Sequence, residues 1–333
     1  MKTPAAGPGR GLIGLLIVVL AATLASAQSK TPAAARRVSH SAADPARWVA
    51  TQVALDRAGF SPGEIDGRPG TNTTRALEGF QQSRMLPVSG QLDDATVGAL
   101  GDWFATPTTT YVITEEDVAG PFAPPLPHDM MQLATLDALG YTSALEMLAE
   151  RFHVQPALLE RMNHGQALTA GTSIEVPNVE PFHPPTERKA PQPQLNAARV
   201  VVTVSEATKT VRVQAGDEKI VFQAPVSTGS AQDPLPRGEW TITATAILPV
   251  FHYNPSLFWD ADPSHAKAKI APGPNNPVGV VWIDLSREHM GFHGTPEPST
   301  IGKTQSHGCL RLTNWDAMRL ASLVGKGARV VLQ

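Results

Sequence analysis

The sequence predicts a multidomain protein whose C-terminal part is a mostly-β domain with a sandwich or barrel-like sheet. A small three-helix domain and a small α+β domain precede it. Three observations support this prediction: 333 residues suffice for two or three domains, proline-rich runs at 121–127 and 177–193 divide the chain, and the apolar pattern changes from helical spacing to alternation after the second run.

These breaks predict that the chain has six parts. They are a signal peptide at 1–27, a flexible leader at 28–46, the helical segment at 47–103, the middle segment at 110–178, a proline-rich linker at 179–196 that we expect to be a semi-extended spacer, and the C-terminal segment at 197–333.

Composition excludes several classes of protein. Apolar residues make up 42% of the chain, which excludes global disorder. The net charge is −3 and no block of Lys and Arg occurs, so a nucleic-acid partner is not expected. A single cysteine excludes an internal disulfide and a zinc site built from several cysteines.

The N-terminus has the pattern of an export signal. Lys2 and Arg10 provide positive charge, an apolar run covers 11–24, and Ala25-Ser26-Ala27 resembles a cleavage site. The run is shorter than the ~20 residues that span a membrane. We therefore expect export to the periplasm or cell envelope with no stable membrane span after cleavage; an uncleaved anchor is the alternative.

The helical segment shows three short helical patterns. The first covers 47–58, Thr71 is expected to cap the second, and the third follows residues 90–93. Its ordered positions resemble the peptidoglycan-binding-domain-1 family; they are Ile65-Asp66-Gly67, Gly70, Thr74, Phe80-Gln81, Pro87-Val88-Ser89-Gly90, Leu92 and Thr96. Pro69 departs from the aromatic residue usual there. The alternative is a helical domain without a ligand.

The middle segment combines two helical patterns with a short strand. The helices are expected at 142–152 and 155–163, and a turn at 169–171 leads to a strand ending near Val176. The order resembles a LysM module, although the first strand of such a module is not evident. A spacer domain without a ligand is the alternative.

The C-terminal segment has the alternation of β-strands. Strands are expected at 200–204, 210–213, 219–226, 238–244, 278–284 and 328–332, with a hairpin turn at Ala215-Gly216-Asp217. Near its end lie His293-Gly294-Thr295 and the motif Ser306-His307-Gly308-Cys309-Leu310-Arg311-Leu312. We expect Cys309 on a turn just ahead of a helix that Thr313 or Asn314 caps.

A cysteine between two histidine-containing motifs favours acyl transfer. A thiol with an ordinary pKa near 8.5 is mostly protonated at neutral pH, so a nearby histidine is needed as a base. Gly308 lets the backbone approach closely, and N–H groups around Cys309 can then hold an oxyanion. The alternatives are a buried core thiol and a zinc site formed by His293, His307 and Cys309, which the i, i+2 spacing of the last two disfavours.

The two motifs together resemble the signature of L,D-transpeptidases with a YkuD-type catalytic domain. The resemblance also includes 226–229, 236–240, 272–279, 299–302 and Asn314. One departure is at 235–238, where the family usually has Thr-Pro before the glycine. The resemblance implies that Cys309 is the nucleophile and His293 the general base and later acid, with the backbone near Gly294 orienting the imidazole ring.

Further residues of the signature receive supporting roles by the same resemblance. Gly308 and Cys309 would donate backbone N–H groups to the oxyanion, and His307 would shape the site or serve as a structural hydrogen-bonding residue. Ser306 and Arg311 would brace the loop or bind a stem-peptide carboxylate, and Asn314 would act as a cap or brace. No metal and no cofactor is expected, because protein groups supply both nucleophile and base.

The resemblance implies an exported enzyme acting on peptidoglycan stem peptides and glycan. Its thiolate would attack the third-residue carbonyl of a tetrapeptide stem, release D-Ala and transfer the acyl group to an amine, giving a 3→3 cross-link. The alternatives are resolution by water (carboxypeptidase or amidase), by a lysine of an envelope protein or by a D-amino acid. A non-catalytic scaffold that binds the cell wall is the alternative from another class.

Overall fold

The computed structural model describes residues 44–216 and 218–333. The expected signal peptide, the leader as far as residue 43, and Asp217 of the expected hairpin turn lie outside the described residues. Within the described ranges, no helix has both the length and the apolar character needed to cross a membrane.

The helical segment contains α1 (Pro45–Arg57), α2 (Thr71–Ser83), α3 (Asp94–Leu100) and α4 (Asp102–Ala105). The start of the first helix differs from the sequence analysis: it lies within the predicted leader, because the Asp44 carboxylate accepts the N–H of Ala46 at 2.9 Å. Thr71 is not a cap but the first residue of its helix, which Gly70 precedes.

The middle segment contains a two-stranded sheet and helices inserted between the strands. These are β1 (Thr108–Val112), α5 (Glu115–Ala119), α6 (Met130–Leu133), α7 (Ala144–Arg151), α8 (Pro156–Met162) and β2 (Ser173–Pro177). The first strand, which the sequence analysis did not find, pairs antiparallel with the second over five residue pairs. It also starts ahead of the predicted boundary at 110.

The C-terminal segment forms one eight-stranded mixed sheet, so the mostly-β prediction is confirmed. In chain order its elements are β3 (Val200–Ser205), β4 (Thr210–Ala215), β5 (Lys219–Pro225), β6 (Gly238–Ile247), β7 (Phe251–Tyr253), β8 (Ala268–Ile270), β9 (Val281–Leu285), β10 (Gly291–His293), β11 (Leu310–Arg311), α9 (Asn314–Leu323) and β12 (Arg329–Leu332). The strand order is β11-β10-β9-β6-β12-β3-β4-β5, and β7 pairs separately with β8.

The core of this sheet positions its last strands. Apolar side chains of the sheet and of α9 form one buried cluster; Val202, Val213, Phe222, Ile283 and Phe292 of the sheet and Leu320 of α9 are completely buried in it. Thr313 caps this helix by accepting the N–H of Asp316 at 3.1 Å. Cys309 directly precedes β11 rather than a helix, which corrects the expected placement.

The linker at 179–196 is not a free spacer. Phe182 is buried against Val280 and Trp315. Further along, the N–H groups of Gln194 and Leu195 donate to carbonyls near the end of α9 at 2.9 and 3.0 Å. Residues 179–196 contain no helix or strand, but apolar burial and backbone hydrogen bonds attach this stretch to the C-terminal segment.

The helical segment packs on the outer strand of the sheet. The Gln223 side chain of β5 donates to the Arg75 carbonyl at 2.7 Å, and it lies against Gly79 of α2. A Cβ on Gly79 would lie 2.2 Å from the Gln223 Oε1 atom, so this contact depends on the absence of a side chain.

We expect Gly79→Ala to destabilise the protein by about 1–3 kcal/mol, because the new methyl group displaces the buried Gln223 side chain. Gly98→Ala is the matched control: Gly98 is in the exposed interior of α3 with no atom within 4 Å of the added Cβ, so about 0.5–1 kcal/mol of stabilisation is expected. Urea titration of both variants measures the difference. Equal stability of the two variants would contradict the packing argument.

Candidate active site

The two motifs meet through a short parallel pairing of β10 with β11. Phe292 is opposite Leu310, and His293 is opposite Arg311. Side chains opposite each other in a parallel pair point to the same face, and alternate residues along a strand share that face. His293, Arg311 and Cys309 therefore lie on one face, with Cys309 beside Gly291.

Cys309 is half-buried and lies beside Gly291, the first residue of β10. Its Sγ lies 3.7 Å from the carbonyl oxygen of His289. Burial raises the pKa of the thiol to about 11; the Arg311 guanidinium and the N–H of Gly291 act in the opposite direction, and the Asp233 carboxylate adds to the rise. The thiol is therefore protonated at neutral pH.

His293 is buried with a defined tautomer. Its Nδ1 lies 2.7 Å from the Gly294 carbonyl oxygen, which only accepts hydrogen bonds, so Nδ1 holds the proton and Nε2 is left as a base. Burial and the positive charge of Arg311 together lower the pKa of this imidazole to about 3, although the hydrogen bond to the Gly294 carbonyl acts in the opposite direction. Trp282, opposite it on β9, stacks on the ring at 5.4 Å between centroids.

Gly294 is itself held by Asn314, the first residue of α9. A Cβ on Gly294 would lie 2.0 Å from the Asn314 Oδ1 atom, so only glycine allows this approach. The same Oδ1 accepts the N–H of Val280 at 3.2 Å. In the structure Asn314 is a brace behind the histidine.

The segment before β11 is fixed at both ends. The N–H of Ser306 donates to the Thr228 carbonyl at 3.0 Å, and its hydroxyl donates to the Cys309 carbonyl at 2.6 Å. Gly308 has φ +97°, a conformation that L side chains rarely adopt. Among the described residues, no acceptor bonds the N–H of Gly308 or Cys309.

Arg311 contacts its own loop and lies beside both reactive groups. Its Nη2 donates to the Gln305 carbonyl at 3.3 Å, and its backbone exchanges two hydrogen bonds with Ser227. Burial lowers the pKa of this guanidinium, whereas Cys309 and Glu297 raise it.

His307 is engaged by the loop that joins β7 to β8. Its Nε2 lies 2.7 Å from Asp260 Oδ1. The rings of Phe258 and Trp259 are 5.0 and 5.8 Å away between centroids. In residues 44–216 and 218–333, no group of three His, Cys, Asp or Glu side chains is arranged to hold a metal ion.

A cleft of about 1390 Å³ opens over these residues. The middle segment contributes part of its wall, including Met130 and Leu133. Acidic side chains outnumber arginines in the lining; the acidic ones are Asp129, Glu146, Asp233, Asp260, Asp262, Glu288 and Glu297, and the arginines are Arg287 and Arg311.

Sequence reasoning missed three residues of this site. Trp282 and Asp260 reach the two histidines only through tertiary contacts. Asp233 has a buried Oδ2 atom without a hydrogen-bond partner among the described residues. The only signal for Asp233 was that it lies two residues before 235–238, where the chain departs from the family pattern.

Opposite charge changes beside the thiol should shift its pKa in opposite directions. We expect Asp233→Asn to lower the Cys309 pKa and Arg311→Gln to raise it, because the thiolate is repelled by the carboxylate and attracted by the guanidinium. The rate of iodoacetamide alkylation at pH 8 should rise about twofold or more in the first variant and fall similarly in the second. Shifts of the same sign in both variants would contradict this electrostatic account.

Two parts of the chain match known protein families. Residues 199–332 match the family model of the L,D-transpeptidase catalytic domain (YkuD), and residues 45–100 match that of a peptidoglycan binding domain. The structures of L,D-transpeptidases from Mycobacterium smegmatis and of L,D-transpeptidase 3 from Mycobacterium tuberculosis show 18% and 16% identity. Their TM-scores are 0.33 and 0.34, and each alignment covers 50% of this chain and 76% of the other.

Curated relatives extend the match beyond the catalytic part. A protein of Bacillus licheniformis named as the L,D-transpeptidase YkuD is 31% identical over 190 residues, which is 56% of this chain and 91% of the relative. Its counterpart in Bacillus subtilis is 27% identical over the same length and is covered to 92%. The chain therefore belongs to the YkuD family of L,D-transpeptidases, cysteine-based acyltransferases whose catalytic domain supports peptidoglycan cross-linking.

Proposed function

We propose that this protein is an exported peptidoglycan L,D-transpeptidase with Cys309 as nucleophile and His293 as general base and later acid. The observation that supports it best is the common face that Cys309, His293 and Arg311 share at β10 and β11, on the wall of a cleft of about 1390 Å³. The cleavable export signal at 1–27 is part of this proposal.

The first half-reaction forms a thioester. Nε2 of His293 accepts the thiol proton as Sγ of Cys309 attacks the third-residue carbonyl of a tetrapeptide stem. The tetrahedral intermediate collapses when the imidazolium returns that proton to the leaving amine of D-Ala. Because burial keeps thiol and imidazole neutral at rest, the proton moves with the attack rather than before it.

Backbone groups would stabilise the negative charge of the intermediate. The N–H groups of Gly308 and Cys309, the residue before the nucleophile and the nucleophile itself, have no acceptor among the described residues. Ser306 braces this turn through the Cys309 carbonyl. The Arg311 guanidinium would favour the thiolate and attract a stem carboxylate.

The second half-reaction passes the acyl group to an amine. The acidic lining of the cleft attracts a cationic amine such as the side chain of a diamino acid in another stem. Once it has lost its extra proton to solvent, the neutral amine attacks the acyl carbon while Nε2 of His293 takes a second proton from the nitrogen. The new N–C bond forms as the C–S bond breaks, the imidazolium passes its proton to the Cys309 sulfur, and a 3→3 cross-link results. This charge pattern supports an amine as acceptor.

The accessory parts would hold the glycan. The match of residues 45–100 supports glycan binding by the helical segment. The middle segment places its helices α7 and α8 between two paired strands, which supports the LysM-like assignment. We assign the domains as 44–105, 108–177 and 197–333, following the observed elements.

Incubation of the protein with purified disaccharide-tetrapeptide tests the reaction. We expect a tetra-tri dimer with a 3→3 link, detected by mass spectrometry. It should be absent with Cys309→Ala and reduced at least about a hundredfold with His293→Ala, because general-base catalysis contributes about 10²–10⁴ in rate.

The products distinguish the alternatives. A tripeptide monomer that persists when an amine acceptor is supplied would assign the acyl-enzyme to hydrolysis. A product that forms only with a lysine-containing protein would assign it to protein attachment. Unchanged substrate with the wild-type protein, together with retained binding to peptidoglycan sacculi, would contradict the proposal and favour the scaffold.

A further inference from the structure

A buried contact joins the middle segment to the C-terminal segment behind the active site. Glu150, near the end of α7, accepts the Nδ2–H of Asn314 on Oε1 at 2.8 Å. Its other oxygen, Oε2, accepts the hydroxyl of Tyr141. Glu150 is far from the reactive groups in sequence, and no part of the reaction described above uses it.

Glu150 completes the set of contacts that fixes the Asn314 amide. Nδ2 donates to Glu150 and to the Pro274 carbonyl at 3.0 Å, while Oδ1 accepts the N–H of Val280. The reversed amide would turn its NH₂ group towards the N–H of Val280 and its oxygen towards two acceptors. The observed orientation is therefore the one that satisfies every partner.

The orientation matters because Oδ1 is wedged between two backbone segments. A Cβ on Gly279 or on Gly294 would lie only 2.0 Å from this atom. The Gly294 carbonyl in turn accepts the Nδ1–H of His293. Any movement of Asn314 therefore moves the group that sets the tautomer and direction of the catalytic imidazole.

We propose that Glu150 is a positioning residue for His293, so that the middle segment supplies a functional part of the active site as well as a binding module. The contacts run from Glu150 to the Asn314 amide, to the Gly294 backbone and to the imidazole. This inference rests on the proposed role of His293 as the base.

Further contacts of α7 hold Glu150 against Asn314. Helix α7 is anchored in the same region by Glu146, whose Oε1 accepts the Nδ2–H of Asn275 at 2.6 Å. Burial raises the pKa of Glu150 to about 7, while the hydrogen bonds from Tyr141 and Asn314 lower it. Oε1 accepts from Asn314 whether the carboxyl is charged or neutral, so an amide should replace it.

The test compares Glu150→Ala, Glu150→Gln and Tyr141→Phe in the full chain. The alanine variant removes the acceptor of Asn314, and the glutamine variant keeps it. The phenylalanine variant removes a hydrogen bond to the same carboxylate but leaves the bond from Asn314. Thermal unfolding of each variant reports on stability separately.

The first measurement is the imidazole of His293 in ¹⁵N-histidine-labelled protein, assigned through His293→Gln. We expect one Nδ1-protonated tautomer in the wild type, a tautomer mixture in Glu150→Ala, and the wild-type spectrum in the other two variants. This measurement needs no substrate. A wild-type spectrum in Glu150→Ala would overturn the inference.

The second measurement is D-Ala release from the tetrapeptide. We expect kcat to fall at least about tenfold in Glu150→Ala with KM unchanged, because small misplacements of a reacting group cost one to two orders of magnitude. Iodoacetamide alkylation at pH 10 should stay unchanged, since it needs no base. Equal losses in the alanine and glutamine variants, or a loss that follows thermal stability, would overturn the inference.

The two proposals fail in different ways. If the wild-type protein releases no D-Ala, but Glu150→Ala still shows the expected mixture of His293 tautomers, only the proposed function is contradicted. An active wild type with an equally active Glu150→Ala variant contradicts only the role of Glu150.

Discussion

The reactive geometry depends on a parallel pairing of only two residues in each of β10 and β11. Such a short pairing is stable only because its neighbours hold it. Strand β9 pairs with β10 on one side, and Ser227 exchanges backbone hydrogen bonds with Arg311 on the other. The eight-stranded sheet therefore fixes the positions of Cys309 and His293. Its register cannot shift by one residue, because the side chains of its buried face would then point to the opposite face.

Burial in this sheet positions Cys309 and His293, and it also favours the neutral form of both side chains. The same desolvation that raises the pKa of Cys309 lowers that of His293, so the neutral pair is the stable state at neutral pH. The Arg311 guanidinium favours a thiolate but disfavours an imidazolium. It therefore contributes little net driving force to a resting ion pair. In the proposed reaction, charge that develops on a substrate oxygen would be stabilised without this opposition by the N–H groups of Gly308 and Cys309, which bond no acceptor among the described residues.

The sequence predicted what depends on local patterns. The signature around Cys309 and His293, the capping by Thr313 and the alternation of the C-terminal strands are all local. Strand β1 was missed because its Thr-rich residues 108–112 are largely exposed and show no apolar alternation. The contacts of Glu150, Trp282 and Asp260 could not be predicted, because each joins positions whose proximity is set by tertiary packing alone.

The helical and middle segments pack against the C-terminal segment, and this packing fixes their orientation relative to the cleft. A module on a flexible tether raises the effective concentration of an enzyme on a polymer, but it leaves the orientation free. Here Asp56 of the helical segment contacts His153 of the middle segment at 3.1 Å, and that imidazole stacks on Trp315 of the C-terminal segment. All three side chains are buried, and separating the segments would expose the stacked rings of His153 and Trp315 to water. A glycan strand held by the helical segment would therefore meet the cleft in a fixed direction.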